Sequence, residues 1–210
     1  MISEYKIIDK VLGVSLTTES GIKNLKMGGY TIQNNQIDKE HGIIYRGNIQ
    51  NPGKPVLLRM NSACYTSDIF GCQRCDCNWQ LQRAMEMISQ EQDGLIIYHF
   101  DHEGRGAGWT NKLKTYSLME KTKCTSFEAF VSLGIQPDLR DYYSAIAILK
   151  DLNIKSVNLI TNNLEKAEFL TSNGIEVNLK IPLVNSRKEW QSYLTSKKEQ
   201  FGHEINEEYF

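Results

Sequence analysis

Val56-Leu57-Leu58-Arg59-Met60, then Cys64, Cys72 and Cys75-Asp76-Cys77, then Leu95-Ile96-Ile97-Tyr98, is the stretch from which the fold is read. The apolar run at 56–60, entered from the turn-forming Asn51-Pro52-Gly53-Lys54-Pro55, predicts a short strand. Leu81, Ala84, Met85 and Ile88 fall at i, i+3, i+4 and i+7, which predicts an amphipathic helix starting close to Cys77 and ending near Gln92-Asp93-Gly94. The run at 95–98 predicts the next strand. It leads into a polar loop, His99-Phe100-Asp101-His102-Glu103-Gly104-Arg105-Gly106-Ala107-Gly108, whose three glycines mark a place where backbone can approach a ligand closely.

Further along, Leu113, Tyr116 and Met119 predict a helix, as does 142–151. A strand is expected at 156–161 with the turn signal Asn162-Asn163 at its end, a helix at 164–172 stopping at Asn173-Gly174, and a strand at 175–183. Trp190, Leu194 and Phe201 suggest a final helix with Lys197 and Lys198 in solvent. Strands mixed with helices throughout predict an α/β (α+β) fold, one compact domain over 1–210 with a mixed sheet flanked by helices.

Composition narrows the function. A chain of 210 residues with 40% hydrophobic and 23% charged residues has the make-up of a folded domain and not of a disordered segment. With 24 Lys+Arg against 25 Asp+Glu it has no surplus charge for nonspecific nucleic-acid binding. The first ten residues hold no signal-like apolar run and no stretch approaches the roughly 20 apolar residues of a membrane span, so a soluble cytoplasmic protein is expected.

Four of the five cysteines, Cys64, Cys72, Cys75 and Cys77, lie within 14 residues, a clustering that suggests metal and not a disulfide framework. Three thiolates suit zinc and leave a fourth position open for water. Cys72-x2-Cys75 also has the spacing of a structural finger, and a fourth thiolate would close the site. Cys75-x-Cys77 is too tight for two paired knuckles. Cys124 stands apart and reads as a small buried hydrophobe. Zinc-deaminase, zincin, dinucleotide-fold and P-loop motifs all fail. Glu103 could accept two N–H donors from a guanine edge, or its loop could be plain solvated surface. Asp138-Leu139-Arg140-Asp141 lies before a helix start, where anions are favoured; taken alone, capping with surface ion pairs is the better account of it.

As an ordered set, Arg59, Cys64-x10-Cys75-Asp76-Cys77, Gln80, Glu103-Gly104-Arg105-Gly106, Asn111-Lys112-x3-Tyr116, Asp138-x-Arg140-Asp141-Tyr142 and Thr161-Asn162-Asn163-x2-Lys166 resembles GTP cyclohydrolase II. The resemblance runs from about Gly29 to Gly202-His203, with a core about 29–185 and a C-terminal helix about 187–203. It implies zinc on Cys64, Cys75 and Cys77, and hydrolytic opening of the guanine imidazole ring of GTP with release of formate and pyrophosphate, the first step of riboflavin synthesis. Arg59, Ser62, Gln80, Glu103, Gly104, Arg105, Thr125, Thr161 and Lys166 would contact the nucleotide. Tyr116 would serve ring hydrolysis, with Asp138 as proton acceptor and Arg140 as nucleophile at the α-phosphorus. A guanidinium of pKa above about 12 is a poor nucleophile, so a phosphate clamp is the easier chemistry for Arg140. Magnesium with the triphosphate and a homodimer are further implications.

This chain departs from the family pattern. Asn61-Ser62-Ala63-Cys64 stands for His-Ser-Glu-Cys, Asn78 for Gly, Asp101-His102 for Arg-Gln, Leu164 for Pro and Cys72 for Ser. A paralogue acting on a related purine nucleotide, or a zinc-stapled binding module without catalysis, are therefore the rivals. Retention of Tyr116, Asp138 and Arg140 weighs against the second.

Overall fold

The computed structural model describes residues 5–183, 185, 195 and 198. Among the described residues, seven strands form a single mixed sheet: β1 (Lys6–Leu16), β2 (Leu25–Asn34), β3 (Ile37–Arg46), β4 (Val56–Ser62), β5 (Gly94–His99), β6 (Ser156–Ile160) and β7 (Glu176–Ile181). Their order across the sheet is β1-β2-β3-β5-β4-β6-β7. β1, β2, β3 and β5 run antiparallel in succession, whereas β5, β4, β6 and β7 are parallel neighbours. Helices α1 (Tyr65–Asp68), α2 (Cys77–Gln90), α3 (Trp109–Thr122), α4 (Ser126–Ser132), α5 (Tyr143–Asp151) and α6 (Leu164–Ser172) complete the described elements with a 3-10 segment, Phe100–Gly106. The mixed α/β architecture matches the expectation. The expected C-terminal helix, with Trp190, Leu194 and Phe201, lies outside the described residues apart from isolated positions.

The parallel half is the half that the apolar runs predict. A parallel strand covered on both faces needs a continuous apolar run, and β4 supplies one. Val56, Leu58 and Met60 point into a core shared with Ile146 and Leu149 of α5 and Leu170 of α6. Leu57 packs on the opposite face with Leu81, Ala84, Met85 and Ile88, the predicted stripe of α2. The sheet is thus a layer between α2 on one side and α5 with α6 on the other.

The antiparallel half went unassigned in the sequence. β2 and β3 form a hairpin closed by Asn35 and Gln36, both at positive φ (48° and 64°), the geometry of a two-residue turn whose twist matches the strands. Gly28 faces β1 so closely that a Cβ there would stand 2.4 Å from the Val11 carbonyl oxygen. No side chain fits that contact.

Chain direction places the site. β4 leads through α2 to its neighbour β5, while β6, reached through α3, α4 and α5, lies on the other side of β4. The carboxyl ends of β4, β5 and β6 therefore splay around one crevice, which is where open α/β sheets bind ligands.

Candidate active site

A cavity of about 590 Å³ opens there. Cys64 follows β4, Cys75 precedes α2 and Cys77 is its first residue, so the strand end and the helix start bring distant sulfurs together. The three Sγ atoms lie within 4.8 Å of one another, with Cys64 Sγ and Cys75 Sγ 3.6 Å apart. Tetrahedral zinc at about 2.3 Å from each sulfur needs sulfur–sulfur edges of roughly 3.8 Å, so the set fits that ion. All three line the cavity and Cys72 does not. Cys72 is half-buried and outside the sulfur cluster.

Hydrogen bonding from Cys75 and Cys77, then the nearby Lys112 ammonium, overcomes burial and pulls the Cys64 thiol far down. Its bond to Cys64, with burial adding, pushes Cys75 up to about 11. Lys112 is buried, its Nζ donating to Cys64 Sγ at 3.1 Å and lying 2.7 Å from Glu103 Oε1. In the sequence Lys112 stands in the Asn111-Lys112-x3-Tyr116 motif with no role attached. Tyr116, one turn along the same face of α3, also lines the cavity. Burial raises its pKa to about 12, against Lys112 and a hydrogen bond from Thr66.

The Glu103 loop is buried and not solvated surface. Glu103 and Gly104 are inside, with Gly104 (φ 60°) and Arg105 (φ 57°) in consecutive left-handed conformations. That is easy for glycine and costs about 1–3 kcal/mol for arginine, strain of the kind held at working sites. Gly104 and Arg105 line the cavity, whereas Glu103 lies one layer below, accepting the Tyr65 backbone N–H and facing Lys112.

Arg140 reaches the cavity from the far side, its Nε donating to Asp138 Oδ1 at 2.9 Å and Nη2 to Oδ2. Burial raises the Asp138 pKa, but hydrogen bonds and charge from Arg140, with Arg105 behind, hold it below the usual carboxylate range. Asp138 itself does not line the cavity; it orients Arg140. Arg59, buried, gives Nη2 to Gln80 Oε1 at 2.6 Å, and Gln80 Nε2 donates to Asp76 at 2.6 Å. Ser62, Thr161 and Lys166 line the same wall, Lys166 Nζ donating to the Met60 carbonyl at 2.8 Å. Thr125 is there too, as the N-cap of α4 in a capping box with Glu128. Cys124 also lines the cavity and is half-exposed, correcting its reading as a buried hydrophobe: the chain turns there between α3 and α4 and leaves it uncovered.

In the sequence His102 stands out only as a departure from the family pattern, with no role attached. Its Nε2 meets the Asp141 carbonyl at 2.8 Å, an acceptor only, so that nitrogen carries the proton. Nδ1 then accepts from Ser62 Oγ at 3.1 Å, and Ser62 Oγ accepts from Arg140 Nη1 at 3.3 Å. Burial, with Arg140 and Lys166 and against Asp101, lowers the His102 pKa to about 3. An unfolded histidine protonates near about 6.5, so this stabilisation is complete above that pH and is lost as pH falls toward about 3. In urea unfolding, wild type should lose about 1.4 kcal/mol more per pH unit than His102→Gln between about pH 6 and about pH 4. Parallel pH dependences would refute the neutral, buried imidazole.

The GTP cyclohydrolase II family matches residues 10–182 of the chain. The chain belongs to the GTP cyclohydrolase II family. Membership classes it with hydrolases of that type. The riboflavin biosynthesis protein RibBA of Bacillus subtilis is 38% identical over 199 residues, 94% of this chain and 48% of that protein. The RibBA of Cytophaga hutchinsonii is 46% identical over 153 residues, 72% and 37% of the two chains. The RibBA of Aquifex aeolicus is 37% identical over 198 residues, 94% and 47%. This GTP cyclohydrolase II family member therefore spans about half the length, or less, of the curated relatives it matches. No helix among the described residues is long and apolar enough to cross a membrane.

Proposed function

We propose that the chain opens the imidazole ring of GTP by hydrolysis, releasing formate and pyrophosphate and leaving a ring-opened diaminopyrimidine ribosyl monophosphate for riboflavin formation. One observation carries this: three cysteine sulfurs arranged for a tetrahedral ion face the same cavity as Arg140 and Tyr116. A pure binding module has no need of the last two. The volume, about 590 Å³, suits a nucleotide.

Cys64, Cys75 and Cys77 would hold zinc. When bound, zinc in an open three-sulfur site supplies a water acidified toward pKa about 7. Tyr116, beside the sulfurs, orients the base and passes a proton during ring opening. Gln80, Gly104 and Arg105 face the guanine, with Glu103 fixing that segment through Tyr65 and Lys112. Arg59, Ser62, Thr125, Thr161 and Lys166 hold ribose and phosphates. Arg140, aligned by Asp138 and by the His102–Ser62 chain, clamps the α-phosphate as charge develops on it. Magnesium accompanying the triphosphate, a homodimer and a cytoplasmic site of action belong to this reading through the family resemblance.

Adenine presents an amino donor where guanine presents a carbonyl, so it sets a donor against Arg105 and leaves a buried group unpaired, at about 1–3 kcal/mol. GTP should accordingly be turned over about 10-fold or more faster than ATP at equal low concentration, with inosine triphosphate between them. Equal turnover of ATP would overturn the assignment of the base. A second reading, action on a related purine nucleotide, rests on Asn61 and Ala63. Both line the cavity beside Cys64, where the family pattern has His and Glu.

A further inference from the structure

Behind the wall of the active-site cavity lies a second cluster that the proposed reaction does not use. His41 on β3 and His99 at the end of β5 are cross-strand partners in register, and Asp101 follows two residues after His99. One ligand atom from each lies within 4.8 Å of the others, and none of the three residues lines the cavity.

The His41 and His99 side chains are 1% and 0% exposed, so their polar atoms have no water to fall back on. Yet both ring nitrogens of His41, Nε2 of His99 and Oδ1 of Asp101 have no hydrogen-bond partner. Four such atoms fall in this one cluster, and buried polar groups without a partner call for an occupant. His41 Nδ1 and Asp101 Oδ1 stand 3.7 Å apart, too far to bond each other and close to the roughly 3.4 Å edge of a tetrahedron about an ion at about 2.1 Å. His99 Nδ1 lies 3.3 Å from Ser144 Oγ. Donating there would leave Nε2, which has no partner, with a free lone pair, the outer-shell arrangement that orients metal-binding histidines. Lys39 lies 2.9 Å from the other Asp101 oxygen and 4.0 Å from Asp141, and His102 stacks on His99 at 4.3 Å.

We propose that His41, His99 and Asp101 form a second divalent-metal site, selective for a borderline first-row ion of the zinc and cobalt class because two of its three ligands are imidazoles. The ion would tie β3 and β5 to the segment carrying Glu103, Gly104 and Arg105. This site is independent of the proposed reaction.

The test is a cobalt(II) titration of the metal-stripped full chain, followed by elemental analysis and absorption. Two ions per chain are expected, one giving a thiolate-to-cobalt charge-transfer band and one without it. Cys75→Ser should lose the band and keep the second ion. His41→Gln should keep the band and bind the second ion at least about 10-fold more weakly. Asp101→Asn, at a side chain 21% exposed, should do the same and serves if His41→Gln does not fold. A single ion per wild-type chain would mean that water fills the cluster. That result, or a second ion indifferent to both substitutions, overturns the site without touching the cysteine reading.

Discussion

Cys75→Ser is expected to bring formate release from GTP down by at least about 1,000-fold and to remove the cysteine-bound metal, while Cys72→Ser keeps both near wild type. The reason is geometric. Cys75 Sγ is 3.6 Å from Cys64 Sγ within a cluster that excludes Cys72. Serine shortens the reach and replaces a soft ligand by a weakly acidic hydroxyl, and two sulfurs do not hold the ion. Removing a catalytic ion's ligand forfeits the acidified water as well as the charge at the reacting carbon, which sets the scale of the loss. Elemental analysis beside a formate assay checks both halves. Equal metal loss in Cys72→Ser would mean a closed four-sulfur site and would end the hydrolytic reading.

Arg140→Ala should lower pyrophosphate release by about 100- to 1,000-fold, the cost of one preorganised donor at a centre of developing charge. The guanidinium is held from two sides, by Asp138 at Nε and Nη2 and by Ser62 at Nη1, and little reorganisation is needed when phosphate arrives. Arg140→Lys should recover only part of the rate, because an ammonium cannot keep the forked bond to Asp138. Tyr116→Phe, beside the sulfurs, should instead depress formate release more than pyrophosphate release. If all variants lose both products in strict proportion, the two chemistries are one coupled step and the division between sulfur and guanidinium subsites is wrong.

The legible part of the fold was the part buried on both faces. β4 and β5 announce themselves as short apolar runs, and α2 by its stripe, because burial leaves no choice of residue there. β1 to β3 are mostly exposed on one face and carry charged residues such as Lys39 and Glu40, and their hairpin turns on Asn35-Gln36 without the usual glycine. Nothing in local pattern marks them. α4 was recoverable: Thr125-x-x-Glu128 is a capping box and was passed over.

The site followed the same division. Cysteine spacing gave the sulfur cluster, since ligand chemistry constrains spacing along the chain. Lys112 was harder, for only its position one turn before Tyr116 on a cavity-facing helix signals that it turns inward. His41 could not have been found, because its pairing with His99 depends on strand register across 58 residues of sequence. His102 took its place through contacts with Ser62 and Asp141, each about 40 residues away.

The simultaneous yield of formate and pyrophosphate from GTP by the purified, zinc-loaded chain tests the proposed reaction most directly. Equimolar formate and pyrophosphate, with a ring-opened monophosphate as the remaining product, is the predicted result. Pyrophosphate without formate, or neither product under conditions where the chain is folded and holds its cysteine-bound metal, would contradict it.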